Sequence, residues 1–384
     1  MANTITNLIP DLYTALDVVS REMVGLIPAV STDMTFERAA KGQTVRSHVA
    51  PAATASDITP AVDSPDDGDQ TIGNTDMTIT KARRVPVRWN GEQSLGLNNG
   101  GPGVLNVKQD QFAQAMRTLV NEVEADLGAL HVNASRAYGT AGTTPFGTAG
   151  EFSDASQVMK VLKDNGAPGS DNQLVIDTSA GANFIGKQAR VDYSGDETIQ
   201  RQGILLPLSG FDLRESAQIL TPTAGTGASA TTNNTGYAVG DTVITLASAG
   251  TGTILAGDVI TFAGDTNKYV VASGDADVSD GGTITLAAPG LRKAIAASAT
   301  AITVVAAAAR NMAFNRSAIA LATRAPALPE EGDSAEDRQI ITDPRSGLSF
   351  EISMYKQYRQ VQYEVALAWG VKAVKPEHMA LLLG

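Results

Sequence analysis

A single long helix, predicted between residues 106 and 138, constrains this chain more than any other part of its sequence. Its charged residues, among them Glu122 and Glu124, fall largely off the apolar stripe. Asn106 is placed to cap the start of the helix, and Gly139 is placed to end it. At 1.5 Å per residue the helix is about 45 Å long, so it predicts a spine for the rest of the chain. The apolar residues at helical spacing are Phe112, Met116, Leu119, Val123, Leu127, Leu130 and Ala134.

The whole chain of 384 residues is acidic, with a formal net charge of −12 at pH 7. This balance argues against tight binding to nucleic acid, because phosphate contacts need clustered Lys and Arg. Residues 1–10 lack a secretory leader pattern, and no run of 18 apolar residues occurs, so we expect a cytoplasmic protein without a membrane segment. The chain has no cysteine, which excludes disulfides and thiolate chemistry.

The first 95 residues predict two extensions from a body. Residues 1–40 read as an N-terminal arm with a short amphipathic helix, since Leu8, Leu12 and Leu16 fall at helical spacing with Val19. Residues 41–95 read as a long flap, because the stretch 50–76 is rich in Pro, Ala, Ser, Thr and Asp and can bury little apolar surface. Residues 96–145 then hold the spine helix and a peripheral domain.

The remainder predicts an α/β domain that is interrupted by a β-domain. Residues 146–221 and 309–384 form an apical domain with C-terminal strands, and residues 222–308 form the insertion. Charged residues are about half as frequent in the insertion as the 18% of the whole chain, and five short β-patterns alternate with Gly-containing turns. Such spacing is typical of a small barrel or sandwich. The five patterns lie at 241–246, 257–262, 268–271, 283–286 and 301–305.

The sequence contains no complete motif for catalysis, metal binding or nucleotide binding. The three histidines, His48, His131 and His378, lie in different segments without ligand spacing, so we predict no metal, no cofactor and no enzyme activity. Residues 181–187 fit a phosphate-binding loop, but Gln188 replaces the hydroxyl that would hold magnesium. We expect those residues inside a helix capped by Thr178 or Ser179. The acidic residues 330–337 lack the order of a calcium loop.

Three local motifs then carry a family resemblance. They are Asp196–Gln202 leading to Gly210-Phe211-Asp212, Gly257–Gly264 inside the insertion, and Ala366–Glu377 near the end. With the order of arm, flap, spine helix, α/β domain and inserted β-domain, the chain resembles the major capsid proteins of tailed phages with the Hong Kong 97 fold. It is most similar to the coat proteins of short-tailed phages that carry an insertion domain. The fold class is therefore expected to be α+β.

The resemblance implies a structural subunit of an icosahedral head. It implies hexamers and pentamers of this chain, an internal scaffolding protein, a portal protein, and enclosed double-stranded DNA that is not specifically bound. The expected location is the virion, after assembly in the host cytoplasm. Two alternatives stay open: an encapsulin-type compartment shell, and a phage tail or adhesin protein. The insertion and the Gln200-Arg201 segment favour the phage shell over the first, and the spine helix argues against the second.

Contacts between subunits are predicted at the flap. Between Lys41 and Lys81 the sequence contains no lysine, so the tip of the flap cannot supply an amine nucleophile for covalent cross-linking. We therefore expect a non-covalent mature shell in which the acidic flap pairs with basic residues of a neighbour. The candidate contact residues are Asp66, Asp67, Asp69, Arg46, Arg83 and Arg84.

Overall fold

The computed structural model describes residues 24–49, 55, 57–60, 69, 71–98, 104–148, 152–188, 207–342 and 347–384. Two sheets dominate it, together with a two-stranded ribbon and four α-helices. Within the described residues this confirms the predicted α+β class. The helices are α1 (Gly91–Asn98), α2 (Val104–Gly128), α3 (Ser153–Asp164) and α4 (Thr178–Gln188). The strands are β1 (Ser31–Ala39), β2 (Thr44–Val49), β3 (Gly73–Thr78), β4 (Lys81–Asn90), β5 (Arg136–Gly139), β6 (Asn172–Ile176), β7 (Phe211–Glu215), β8 (Val243–Leu246), β9 (Val259–Phe262), β10 (Lys268–Ser273), β11 (Gly282–Leu286), β12 (Ile302–Val304), β13 (Arg310–Asn315), β14 (Ile319–Pro326), β15 (Asp337–Thr342), β16 (Ser349–Gln357), β17 (Gln360–Ala373) and β18 (Met379–Leu383).

The six-stranded sheet is organised around β17. This strand pairs with β4 over residues 360–369, with β16 over residues 360–366 and with β14 over residues 368–373. Strand β15 lies beyond β16, and β1 runs parallel to β14 at the other end. The C-terminal strands predicted from the sequence are present, and every second side chain of β17 from Val361 to Val371 packs into the core. Residues 31–39 of the arm are a strand, where the sequence had predicted helical and irregular structure. The predicted arm helix lies outside the described residues.

The spine helix packs across this sheet, but it is shorter than predicted. Helix α2 ends at Gly128, a 3-10 helix covers Ala129–Asn133, and Arg136–Gly139 form strand β5. The helix therefore ends about ten residues before Gly139. The cause is tertiary pairing: β5 lies parallel to β18 and antiparallel to β10, so residues 136–139 gain two strand neighbours there.

One acidic side chain fixes the spine helix to the sheet. Asp126 accepts hydrogen bonds from Lys81 Nζ at 2.7 Å and from Trp369 Nε1 at 2.8 Å. Trp369 is fully buried, so its indole N–H must find an acceptor inside the protein. Lys81 also lies over the indole ring at 5.9 Å from its centroid.

The ten-stranded sheet joins the inserted segment to the apical α/β segment. Its central path runs β12-β9-β10-β5-β18-β13-β6-β7, with β11 and β8 attached through β10. All five strands predicted within residues 222–308 are present. They enclose a core of their own, which includes Ile244, Phe262 and Tyr269. In addition, Lys268↔Ala137 and Tyr269↔Arg136 pair β10 with β5.

The apical segment, predicted as α/β, contains helix α3 and the fully buried strand β6. Residues 181–187 lie inside α4, with Phe184 buried, so they do not form a phosphate-binding loop. The cap of α4 is Asp177, not Thr178 or Ser179, because its carboxylate accepts from the N–H groups of Ser179 and Ala180 at 3.2 and 3.3 Å.

Candidate assembly surfaces

The flap projects as the ribbon of β2 and β3. Six residue pairs join the two strands, from Thr44↔Thr78 to Val49↔Gly73. Of the eight described side chains of the ribbon, four are exposed, three are half-buried and only Met77 is buried. An isolated two-stranded hairpin is marginally stable in water, so a ribbon of this kind gains stability when a partner covers it.

The root of the flap, unlike the ribbon, is packed closely against the body. Met77 and Ile79 pack on the body against three alanines, namely Ala39, Ala322 and Ala368. Main-chain hydrogen bonds reinforce the contact, with Thr80 N donating to Trp369 O at 3.0 Å. Gly370 lies directly beneath, and a Cβ atom at that position would come within 2.1 Å of Thr78 O. The flap is therefore held at its root by close backbone packing.

The far part of the flap carries exposed apolar and acidic side chains. Ile58 is 97% exposed and Ile72 is 66% exposed, and Asp57 and Asp69 are also exposed. Large apolar groups of this exposure favour a surface that a partner covers. The predicted contact residues Asp66 and Asp67 lie outside the described residues.

The three predicted arginines have partners within their own subunit. Arg46 pairs bidentately with Asp76 on the facing strand of the ribbon, at 2.8 and 3.1 Å, and this hydrogen bonding lowers the pKa of the Asp76 carboxyl. Arg83 reaches Glu122 of α2 at 3.0 Å, and Arg84 reaches Glu364 of β17 at 2.7 Å. All three arginine side chains are more than half exposed, so a contact with a second subunit remains a prediction for each.

Sequence reasoning missed the buried acid of the spine helix. Glu124 was placed off the apolar stripe, but it is only 1% exposed. Its carboxylate accepts from Leu26 N at 3.1 Å, Ile27 N at 2.8 Å and Ser216 Oγ at 2.9 Å. Burial raises the pKa of Glu124, and these hydrogen bonds oppose the rise. Glu124 therefore fixes the base of the arm to the helix.

A second buried polar group marks the root of the insertion. Arg310 is 1% exposed, and its guanidinium has no hydrogen-bond partner among the described residues. Burial lowers its pKa, while the nearby Asp258 carboxylate acts in the opposite direction. Asp258 is itself buried and accepts from Leu255 N at 2.6 Å and Gly225 N at 3.1 Å. The Asp258 carboxylate and the Arg310 guanidinium are thus both buried and influence each other electrostatically, without an ion pair among the described residues.

The histidines and acidic residues form no metal site in the described part of the chain. His131 is buried, with Nδ1 at 3.1 Å from Gly128 O, and burial lowers its pKa. His378 is also buried at a different place in the fold, and nothing is described of the His48 side chain. Within the described residues, no helix combines the length and apolar character that crossing a membrane requires.

Comparison with known proteins returned only structural similarities. No protein-family model matches the sequence, and no curated protein matches it. A capsid structure of the cyanophage P-SCSP1u has 10% identity and a TM-score of 0.47, with 92% of this chain and 86% of that chain covered. A structure from Mycobacterium phage Che8 has 13% identity and a TM-score of 0.44, with 89% and 85% covered. A virus-like particle from Pyrococcus furiosus has 10% identity and a TM-score of 0.43, with 98% and 100% covered.

Of these structural neighbours, one is a cyanophage capsid, one comes from a mycobacterial phage and one is a virus-like particle. Identities of 10–13% with TM-scores below 0.5 do not by themselves assign a family or a function to this chain.

Proposed function

We propose that this chain is the major capsid protein of a tailed phage, a structural subunit that assembles with copies of itself into an icosahedral head. The observation that carries the proposal is the flap: a two-stranded ribbon in which Met77 is the one buried side chain among those described, a close-packed root, and beyond the ribbon the side chains of Ile58 and Ile72, which are 97% and 66% exposed. A solvated ribbon with large apolar side chains is stabilised when a second subunit covers it.

The arrangement supports a shell held by many modest contacts. Each partly exposed ion pair contributes on the order of 1 kcal/mol or less, and it weakens as salt rises. Many such contacts per subunit add up in a closed assembly, because each subunit is bound on several sides at once. Charge-assisted pairs between the acidic flap, including Asp66, Asp67 and Asp69, and Arg46, Arg83 or Arg84 of a neighbour belong to this proposal.

Further partners follow from the resemblance of the sequence motifs. We propose hexamers and pentamers of this chain, an internal scaffolding protein, a portal protein, and packaged double-stranded DNA. The net charge of −12 supports a lining that does not retain DNA by phosphate contacts. The particle is proposed to assemble in the host cytoplasm and to persist as the virion shell, with residues 222–308 as an inserted domain.

Co-expression of the full chain with a scaffolding protein tests the proposal. Negative-stain images and sedimentation should show closed shells or irregular polyheads. Monomers alone at high concentration, with the scaffolding protein present, would contradict it. Nuclease-protected DNA inside particles made in infected cells separates a phage head from a compartment that encloses protein cargo.

A further inference from the structure

The turn between β16 and β17 is built at a conformational cost. It contains only two residues, Tyr358 and Arg359, since Gln357 pairs directly with Gln360. Arg359 has a φ of 56°, a left-handed conformation that L residues with long side chains rarely adopt. Two-residue hairpin turns favour Asn and Gly at such positions. The demands of the turn therefore do not explain why Tyr358 and Arg359 occupy it. Residues held in strained backbone conformations are concentrated at functional sites.

The side chains at the turn form an exposed and ordered projection. Tyr358 is 87% exposed, and the Arg359 guanidinium lies over its ring at 5.8 Å from the centroid. The Gly91 N–H donates to Arg359 O at 3.3 Å, which fastens the turn to the start of α1. Arg359 has no ion-pair partner among the described residues. An aromatic ring with a stacked guanidinium, both solvent-exposed, is typical of residues that contribute strongly to protein interfaces.

A second surface of the same sheet has the complementary charge. Glu330 and Glu331 are exposed in the loop before β15, and neither has an ion-pair partner in the described part of the chain. The loop is held in place by β16: Glu336 N donates to Met354 O at 2.8 Å, and Lys356 Nζ lies 2.6 Å from Glu336 Oε1. Asp333 in the same loop accepts from Tyr355 Oη at 2.8 Å. The two free acids are thus presented by a fixed loop.

An open groove lies beside this acidic loop. Its volume is about 460 Å³, and Leu328, Pro329, Ala366 and Tyr355 contribute apolar and aromatic surface to it. Arg84 and Glu364, paired with each other, line it as well. The groove is large enough for a phenol ring, and the carboxylates of Glu330 and Glu331 belong to the loop that bounds it. Apolar surface beside acidic side chains matches a tyrosine with a neighbouring guanidinium.

We infer that the Tyr358-Arg359 turn of one subunit docks into this groove of a second copy of the chain. The ring of Tyr358 packs on the apolar wall, and the Arg359 guanidinium pairs with Glu330 or Glu331. The turn and the loop are different patches of one subunit, so the contact is heterologous and repeats from copy to copy around a ring or shell. The inference rests on the proposed shell function and names one of its subunit contacts.

Charge reversal in the full chain tests the contact. Arg359→Glu alone, or Glu330→Arg with Glu331→Arg, should reduce the yield of closed shells by about tenfold or more, because like charges then face each other. Combining all three changes should restore most of that yield. Lys163→Glu, which alters an exposed lysine on α3, is the matched control and should assemble like the unmodified chain. Far-ultraviolet circular dichroism and urea unfolding show that each variant is folded.

The absence of cysteine from the chain permits a direct second test. A variant with both Arg359→Cys and Glu331→Cys, assembled and then oxidised, should give a ladder of disulfide-linked oligomers that collapses on reduction. Each single-cysteine variant should give no ladder beyond a dimer. Normal shells from the charge-reversed variants, or oxidised double-cysteine shells that run only as monomers, would overturn the inference while leaving the shell function intact. Failure of the unmodified chain to assemble would instead contradict the proposed function.

Discussion

Replacing Gly370 by alanine perturbs the flap without changing any flap residue. Gly370 lies in β17, and an added Cβ atom would stand 2.1 Å from Thr78 O and 2.9 Å from Thr78 C. A relaxed carbon–oxygen contact is about 3.3 Å, so the flap root must move by about 1.2 Å. Both atoms nearest the new methyl group are backbone atoms, and no side-chain rotation relieves the contact.

The displacement grows along the ribbon. If the root pivots on the neighbouring strand, about 4.8 Å away, a shift of about 1.2 Å tilts the ribbon by roughly 14°. Six residues of β2 or β3 span about 20 Å, so the far end of the ribbon moves by about 5 Å. Overpacking of this kind costs about 1–3 kcal/mol of folding free energy, which leaves most of a protein of this size folded. A flap end misplaced by several ångströms does not meet a neighbouring subunit correctly.

The expected result for Gly370→Ala is a folded subunit that fails to form closed shells. Urea unfolding measures the loss of stability, and sedimentation with negative-stain microscopy measures assembly. Gly186→Ala is the matched control: it adds the same methyl group to α4, where no atom lies within 4 Å, and improves helix propensity by up to about 1 kcal/mol. Gly370→Ala shells of normal yield and size, with unchanged hydrogen exchange at the Thr80 amide, would refute the reasoning.

The remaining predictions concern buried groups and the chemistry of the mature shell. Glu124→Ala leaves three buried donors without their acceptor and should lower the free energy of unfolding by about 3–5 kcal/mol in urea titrations. Because burial raises the pKa of Glu124, the proton-linked part of its contribution to stability is fully present below its unfolded pKa and is lost as pH rises through the folded value; the alanine variant should lack this slope when unfolding is measured between pH 4 and 7. Asp126→Ala should cost about 1–3 kcal/mol by leaving the Trp369 indole unpaired, and Asp126→Asn, which keeps an acceptor, should cost less in the same assay. Boiled mature particles should run as one band near the monomer mass, since no lysine lies between Lys41 and Lys81; a ladder that survives boiling would contradict a non-covalent shell.

The sequence predicted best where local pattern and tertiary environment agree. The five short strands of the insertion alternate between turns that contain Gly, and each one forms in the structure. Strands β16 and β17 are equally clear because their alternate side chains, among them Ile352, Tyr363 and Val365, pack into the core. The spine helix was predicted about ten residues too long, since residues 129–138 carry an apolar pattern that fits either a helix or a strand. Pairing with β18 and β10 decided between the two, and no local pattern encodes that pairing.

The candidate surfaces were less predictable because they depend on long-range neighbours. The residues around Glu124 in the sequence do not indicate its partners, because the Ser216 hydroxyl and the Leu26 and Ile27 amides come from distant parts of the chain. Arg46 was predicted to contact a neighbouring subunit, which stays a prediction, and no local pattern placed Asp76 across the ribbon from it. The Tyr358-Arg359 turn did leave one signal: a two-residue connection between clear strands that contains neither Gly nor Asn.

The shared pairing of β17 restricts how this chain can change in length. A single-residue insertion or deletion within β17 would rotate every later side chain of the strand to the opposite face of the sheet. The pairing registers of β17 with β4, β14 and β16 would all shift at once, because these three strands form hydrogen bonds with the same 14-residue strand. Length variation among natural variants should therefore be confined to loops such as those between the strands of residues 222–308, while β17 keeps a fixed residue count even where its sequence diverges.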